Sequence, residues 1–107
     1  MDYIFNVYWG GNLVGEITNL SQDMWYMSGD WCRFETAETA RFEQLLHNFD
    51  MKRFQQDPVG NSVKVILSET AQPDKKIFCL VFYLKEKEIE LRQIVAEEAL
   101  NLFFPDR

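Results

Sequence analysis

The chain has 107 residues, of which 47% are hydrophobic, 15% aromatic and 26% charged, with a net charge of −6. That is the length of one domain, 1–107, with enough apolar surface to fill a core without metal or disulfide staples, and it argues against a disordered chain. An acidic first third argues against phosphate-backbone binding, which needs clustered Lys and Arg. The longest apolar run, the eight residues Ile77–Leu84, is too short for a membrane helix.

The opening, MDYIFNVYW, has an acid at position 2 and alternating polarity where a signal peptide has a basic region and an apolar run. The cytoplasm is therefore the expected compartment. YIFNVYW alternates Tyr3, Phe5, Val7 and Trp9 against Ile4, Asn6 and Tyr8, the period of a strand. GGN supplies a tight turn, and LVGEITN reads as the returning strand of a hairpin. NLSQD reads as a polar connection, DMWYM as extended, and SGD as a bend before WCRFE.

Thr36 reads as an N-cap with Glu38 in the first turn. Phe42, Leu45, Leu46 and Phe49 then follow at the spacing of one helix face. Asp50 either breaks this helix or caps a short second piece with Met51 and Phe54, and DPVGN closes the segment. SVKVILSE alternates as a strand, and AQPD reads as a loop. KKIFCLVFYL is apolar on both faces, as a strand covered on both sides requires. KEKE is a charged turn, EIELRQI an alternating strand, and VAEEALNLFF a helix with a stripe of Ala96, Ala99, Leu100 and Phe103, stopped by Pro105.

The short loops imply antiparallel neighbours. The expected class is α+β: an antiparallel sheet of five to six strands, with two helices packed mainly on one face.

No pattern encodes a reaction. His47, the single histidine, has no nucleophile-elbow sequence to serve, and no phosphate-cradling glycine pattern occurs. Cys32 and Cys79 lie 47 positions apart with no CxxC, which does not make a zinc site, and Cys79 reads as a small buried hydrophobe. Asp23, Asp30 and Glu35 lack the spacing of a calcium loop. Neither a catalytic residue, a metal ligand nor a cofactor is predicted.

What does stand out is composition in the first third. Residues 1–35 hold every tryptophan and carry Asp2, Glu16, Asp23, Asp30 and Glu35 against Arg33 alone. The stretch DMWYMSGDW either fills an ordinary core or forms a surface where aromatic anchors are ringed by acid. On the second reading Glu16, Asp23, Trp25, Tyr26, Asp30 and Trp31 form a binding site, since interface hot spots favour Trp and Tyr and surrounding charge speeds encounter with an opposite partner.

The order of an aromatic-rich strand, GGN, LVGEI and DMWYMSGDW before a helix resembles small single-domain bacterial proteins of uncharacterised function. In size and charge the chain is similar to immunity proteins, which neutralise the toxin of a neighbouring gene. That resemblance favours binding over catalysis, and the acidic first third favours a basic partner, so the leading expectation is a non-catalytic protein-binding module, an immunity-type inhibitor of a basic toxin. Two alternatives stay open: a small-molecule-binding domain or minor enzyme with a pocket between sheet and helices, and a homodimer that hides the aromatic strand by self-association.

Overall fold

Each half of the chain folds as a three-stranded antiparallel meander followed by helix. The first half contributes β1 (Phe5–Trp9), β2 (Asn12–Asp23) and β3 (Tyr26–Arg33), then α1 (Ala37–His47), α2 (Met51–Gln56) and α3 (Pro58–Asn61). The second contributes β4 (Val63–Glu69), β5 (Gln72–Lys85) and β6 (Glu88–Gln93), then α4 (Glu97–Phe103). The computed structural model describes residues 3–107, so Asp2 lies outside the described residues.

The two meanders join at both margins. β3 pairs with β6 and β1 pairs with β4, both antiparallel, which closes a barrel in the order β1-β2-β3-β6-β5-β4. This corrects the expected α+β sheet with two helices on one face. Closure leaves no sheet edge and encloses the inner face, so the helices have no broad inner face on which to lie. Local loop lengths fix the neighbours inside each meander, but the pairings that close the barrel join distant parts of the chain.

The inside is filled by alternate residues of every strand. Val7, Ile17, Met27, Leu67, Val81 and Leu91 all lie in one core cluster. α1 plugs the end of the barrel where β1 and β3 finish. Phe42 is fully buried there, with its ring 5.9 Å from that of Trp9 and 5.5 Å from that of Trp31. Thr36 caps this helix by accepting from the Thr39 N–H at 3.1 Å, and the Thr39 hydroxyl donates to the Val14 carbonyl at 2.8 Å. The expected cap is thus present, and the Thr39 bond fastens the helix to β2.

β5 is covered on both sides, as its sequence requires. Cys79 and Val81 face the core. Phe78 and Phe82 occupy the outer side, where Phe78 meets Phe104 at 5.0 Å and Phe82 meets Phe54 at 5.2 Å. Asp50 caps α2, accepting from the Lys52 N–H at 2.9 Å, and thereby places Phe54 for that contact.

Two local expectations are corrected around the β2–β3 hairpin. NLSQD is no connection, since β2 runs through it to Asp23, bending at a register shift between Thr18 and Ser21 where Asn19 takes φ 53°. The turn falls at Met24–Trp25, with Met24 at φ 57°, and SGD lies inside β3. Gly29 is there for space. A Cβ on it would stand 2.6 Å from Cγ2 of Ile17 and 3.0 Å from the Thr18 carbonyl oxygen.

Candidate functional site

Among the described residues no buried side-chain nitrogen or oxygen lacks a hydrogen-bond partner. The interior therefore offers a ligand no free polar handle, and recognition falls to the outer walls. The alternation that sends Ile17, Met27 and Leu91 inward sends their neighbours out. On the wall built by β2, β3 and β6 those neighbours include Glu16, Asp23, Asp30, Glu88 and Glu90, against Arg92. Asp30 stands directly opposite Glu88 in the β3–β6 ladder. Like charges in that position destabilise a sheet by roughly 0.2–1 kcal/mol. The Asn19 side chain donates to Asp30 Oδ2 at 2.7 Å, and Lys85 and Lys87 line the same shallow depression.

The hairpin tip forms one margin of this wall. Met24 is 75% exposed, Trp25 46% and Tyr26 62%. The tip is held in place, because the Gln93 N–H donates to the Trp25 carbonyl at 2.7 Å and the Gln22 amide donates to both Gln93 Oε1 and the Met24 carbonyl. Arg92 sits 5.9 Å from the Tyr26 ring centroid, a contact worth about 0.5–1 kcal/mol at an exposed site. Large apolar side chains are thus presented on a fixed turn beside carboxylates.

The residues singled out in the sequence divide cleanly. Asp23, Trp25 and Tyr26 come together at the tip. Asp30 and Glu16 lie farther along the same outer wall, and Glu16 is partly covered opposite Cys32. Trp31 does not belong with them. It is 4% exposed, and its indole fills the space over Gly15, where a Cβ would come within 2.4 Å of the ring. Its Nε1–H donates to Glu43 at 3.1 Å, and Arg33 holds the other oxygen of that carboxylate at 2.9 Å. With the turn at Met24–Trp25, the alternation along β3 places Met27 and Trp31 on the same inward side.

Glu88, Glu90 and Arg92 complete the wall, yet nothing in their own stretch of sequence marks them. They join it only through the non-local β3–β6 pairing. Among the described residues no three His, Cys, Asp or Glu side chains are grouped to hold a metal ion, and no helix is long and apolar enough to cross a membrane. Both thiols are free, Cys32 exposed on this wall and Cys79 buried, its thiol pushed up to about 12 by burial.

The opposite wall, built by β1, β4 and β5, has a different character. Between its outer surface and the segment Phe103–Arg107 runs a groove of about 660 Å³. Tyr8 and Ile66, partners in the β1–β4 ladder, lie on its floor, and Lys64 and Lys76 line it. Lys64 donates from Nζ to the Val59 carbonyl at 2.7 Å, and partial burial lowers its pKa, an effect opposed by nearby Asp57.

Compared with protein-family models, with curated proteins and with solved structures, the chain matches none. The functional reading therefore rests on these two walls.

Proposed function

We propose that the chain is a non-catalytic binding module that docks a basic protein on the β2–β3–β6 wall. The observation that carries this is the hairpin tip, where Met24, Trp25 and Tyr26 are exposed in succession beside Asp23. Trp and Tyr anchors supply the desolvated contacts of such an interface, and a field of acid speeds encounter with a cationic surface. Asp30 facing Glu88 supports the same reading, since the pair adds to the acidic field that a cationic partner would meet. Inhibition of a basic toxin is one biological form of this binding, and the two free thiols fit a reducing compartment such as the cytoplasm.

The test uses the tagged full chain to capture partners from its host cell, in parallel with Trp25→Ala and with Asp23→Lys/Asp30→Lys. A basic protein should be retained by the parent chain. Truncating the Trp25 anchor should weaken its binding by about 2 kcal/mol, roughly thirtyfold. Charge reversal should slow its association, most strongly at low salt. Retention and association rates unchanged in both variants would remove the proposal.

A further inference from the structure

The groove on the β1–β4–β5 wall reverses the charge of the molecule. The whole chain has 17 acidic residues to 11 basic ones, whereas the groove is lined by Lys64, Lys76 and Arg107 with Asp106 as the opposing acid. The two lysines are set apart by the sheet. Lys76 pairs with Ser68, which lies four residues along β4 from Lys64, a rise of roughly 13 Å. Between them the floor is Tyr8 and Ile66, and the facing side of the groove is Phe103, Phe104 and Pro105.

The cations are unequal. Arg107 is engaged by Glu97 at 2.9 Å and by the Asn101 side chain at 3.0 Å. Lys64 is engaged by the Val59 carbonyl. Lys76 is exposed and, among the described residues, forms no ion pair or side-chain hydrogen bond.

We propose that this groove binds an amphipathic organic anion, a carboxylate carried on an aliphatic or aromatic body. The carboxylate would sit at Lys76, and the body would lie over Tyr8 and Ile66 against Phe103–Pro105. The chemistry follows from the lining: the apolar channel removes a hydrocarbon body from water, and a cation at its end selects an acid head over a neutral one. The site is independent of the hairpin tip, which lies on the other wall.

Octanoate and its uncharged counterpart octanamide serve as probes, titrated into the isotope-labelled full chain and followed by amide resonances. Octanoate should shift signals of Tyr8, Ile66, Lys76 and Phe104, and octanamide should bind about fivefold more weakly. Lys76→Glu, an exposed change that leaves the core untouched, should weaken octanoate by about fivefold while leaving octanamide unaffected. A thermal melt of the variant matching that of the parent confirms that the fold is intact. The proposal is overturned by an absence of binding, by equal binding of the acid and the amide, by octanoate binding that ignores Lys76→Glu, or by shifts that map to the β2–β3–β6 wall.

Discussion

The two walls of this barrel share one core and differ in almost everything outside it. The β2–β3–β6 wall is acidic, fringed by an aromatic tip and without the aromatic clusters that cover β5. The β1–β4–β5 wall is shielded along β5 by Phe54 and Phe104 and keeps a cation-lined groove beside that cover. The difference comes from chain connectivity. The helical segments that follow each meander fold back onto β5, and neither the aromatic cluster of Phe49, Phe54 and Phe82 nor that of Phe78 and Phe104 involves β2, β3 or β6. A barrel can thus finish one wall for packing and leave the other for contact, with both resting on the same interior.

That comparison can be broken at its shared foundation. Phe42 is fully buried against Trp9 and Trp31, so Phe42→Ala should cost about 3–5 kcal/mol in denaturant unfolding and loosen both walls together. A smaller loss would mean that α1 is not the plug of the barrel. Gly29→Ala acts on one wall. Its new methyl group would press on Ile17 and the Thr18 carbonyl and should cost about 1–3 kcal/mol, with the largest amide shifts in β2 and β3. Shifts spread evenly around the barrel would contradict the local account.

Asp30→Asn sharpens the contrast between stability and contact. Removing the charge opposite Glu88 should raise stability by about 0.2–1 kcal/mol while slowing association with a basic partner. An unchanged stability would show that Lys85 and Lys87 already cancel the repulsion, and a loss would show that the charged acceptor of the Asn19 hydrogen bond outweighs it.

The smallest effect separates outside from inside. A thiol reagent should label Cys32 in the native chain and reach Cys79 only after unfolding. Because burial holds the Cys79 thiol protonated, up to about 12 from an ordinary value near 9, unfolding above pH 9 lets that proton go. The folded state then binds more protons than the unfolded one, so the contribution of this group to stability should fall as pH rises past 9. Rapid modification of both thiols at neutral pH in the native chain would contradict the burial.

Much of the fold was legible where the determinants are local. Thr36 capping α1, Asp50 capping α2, the Gly10–Gly11 turn with its positive φ angles and the two-sided apolar strand around Cys79 all follow from neighbouring residues. Barrel closure was not legible, because Phe5 meeting Glu69 and Met27 meeting Leu91 are pairings between distant segments. Trp31 lies inside rather than on the expected surface for a related reason. The glycine in SGD suggests a bend, whereas the chain turns four residues before Ser28, at Met24, a residue type that gives no warning of a positive φ. Because β3 runs on without a bend at SGD, Trp31 falls on the same inward side as Met27, and its indole closes over Gly15. The groove was hidden for the same reason as the closure: its floor belongs to β1 and β4, and its facing side to the end of the chain.

A photo-cross-linking amino acid placed in the host cell at position 26 or at position 8, a tyrosine on each wall, tests the assignment of the docking face most directly. Covalent capture of a basic protein from position 26 and not from position 8 is the expected result. Capture from position 8 alone, or from neither, would contradict a docking face on the β2–β3–β6 wall.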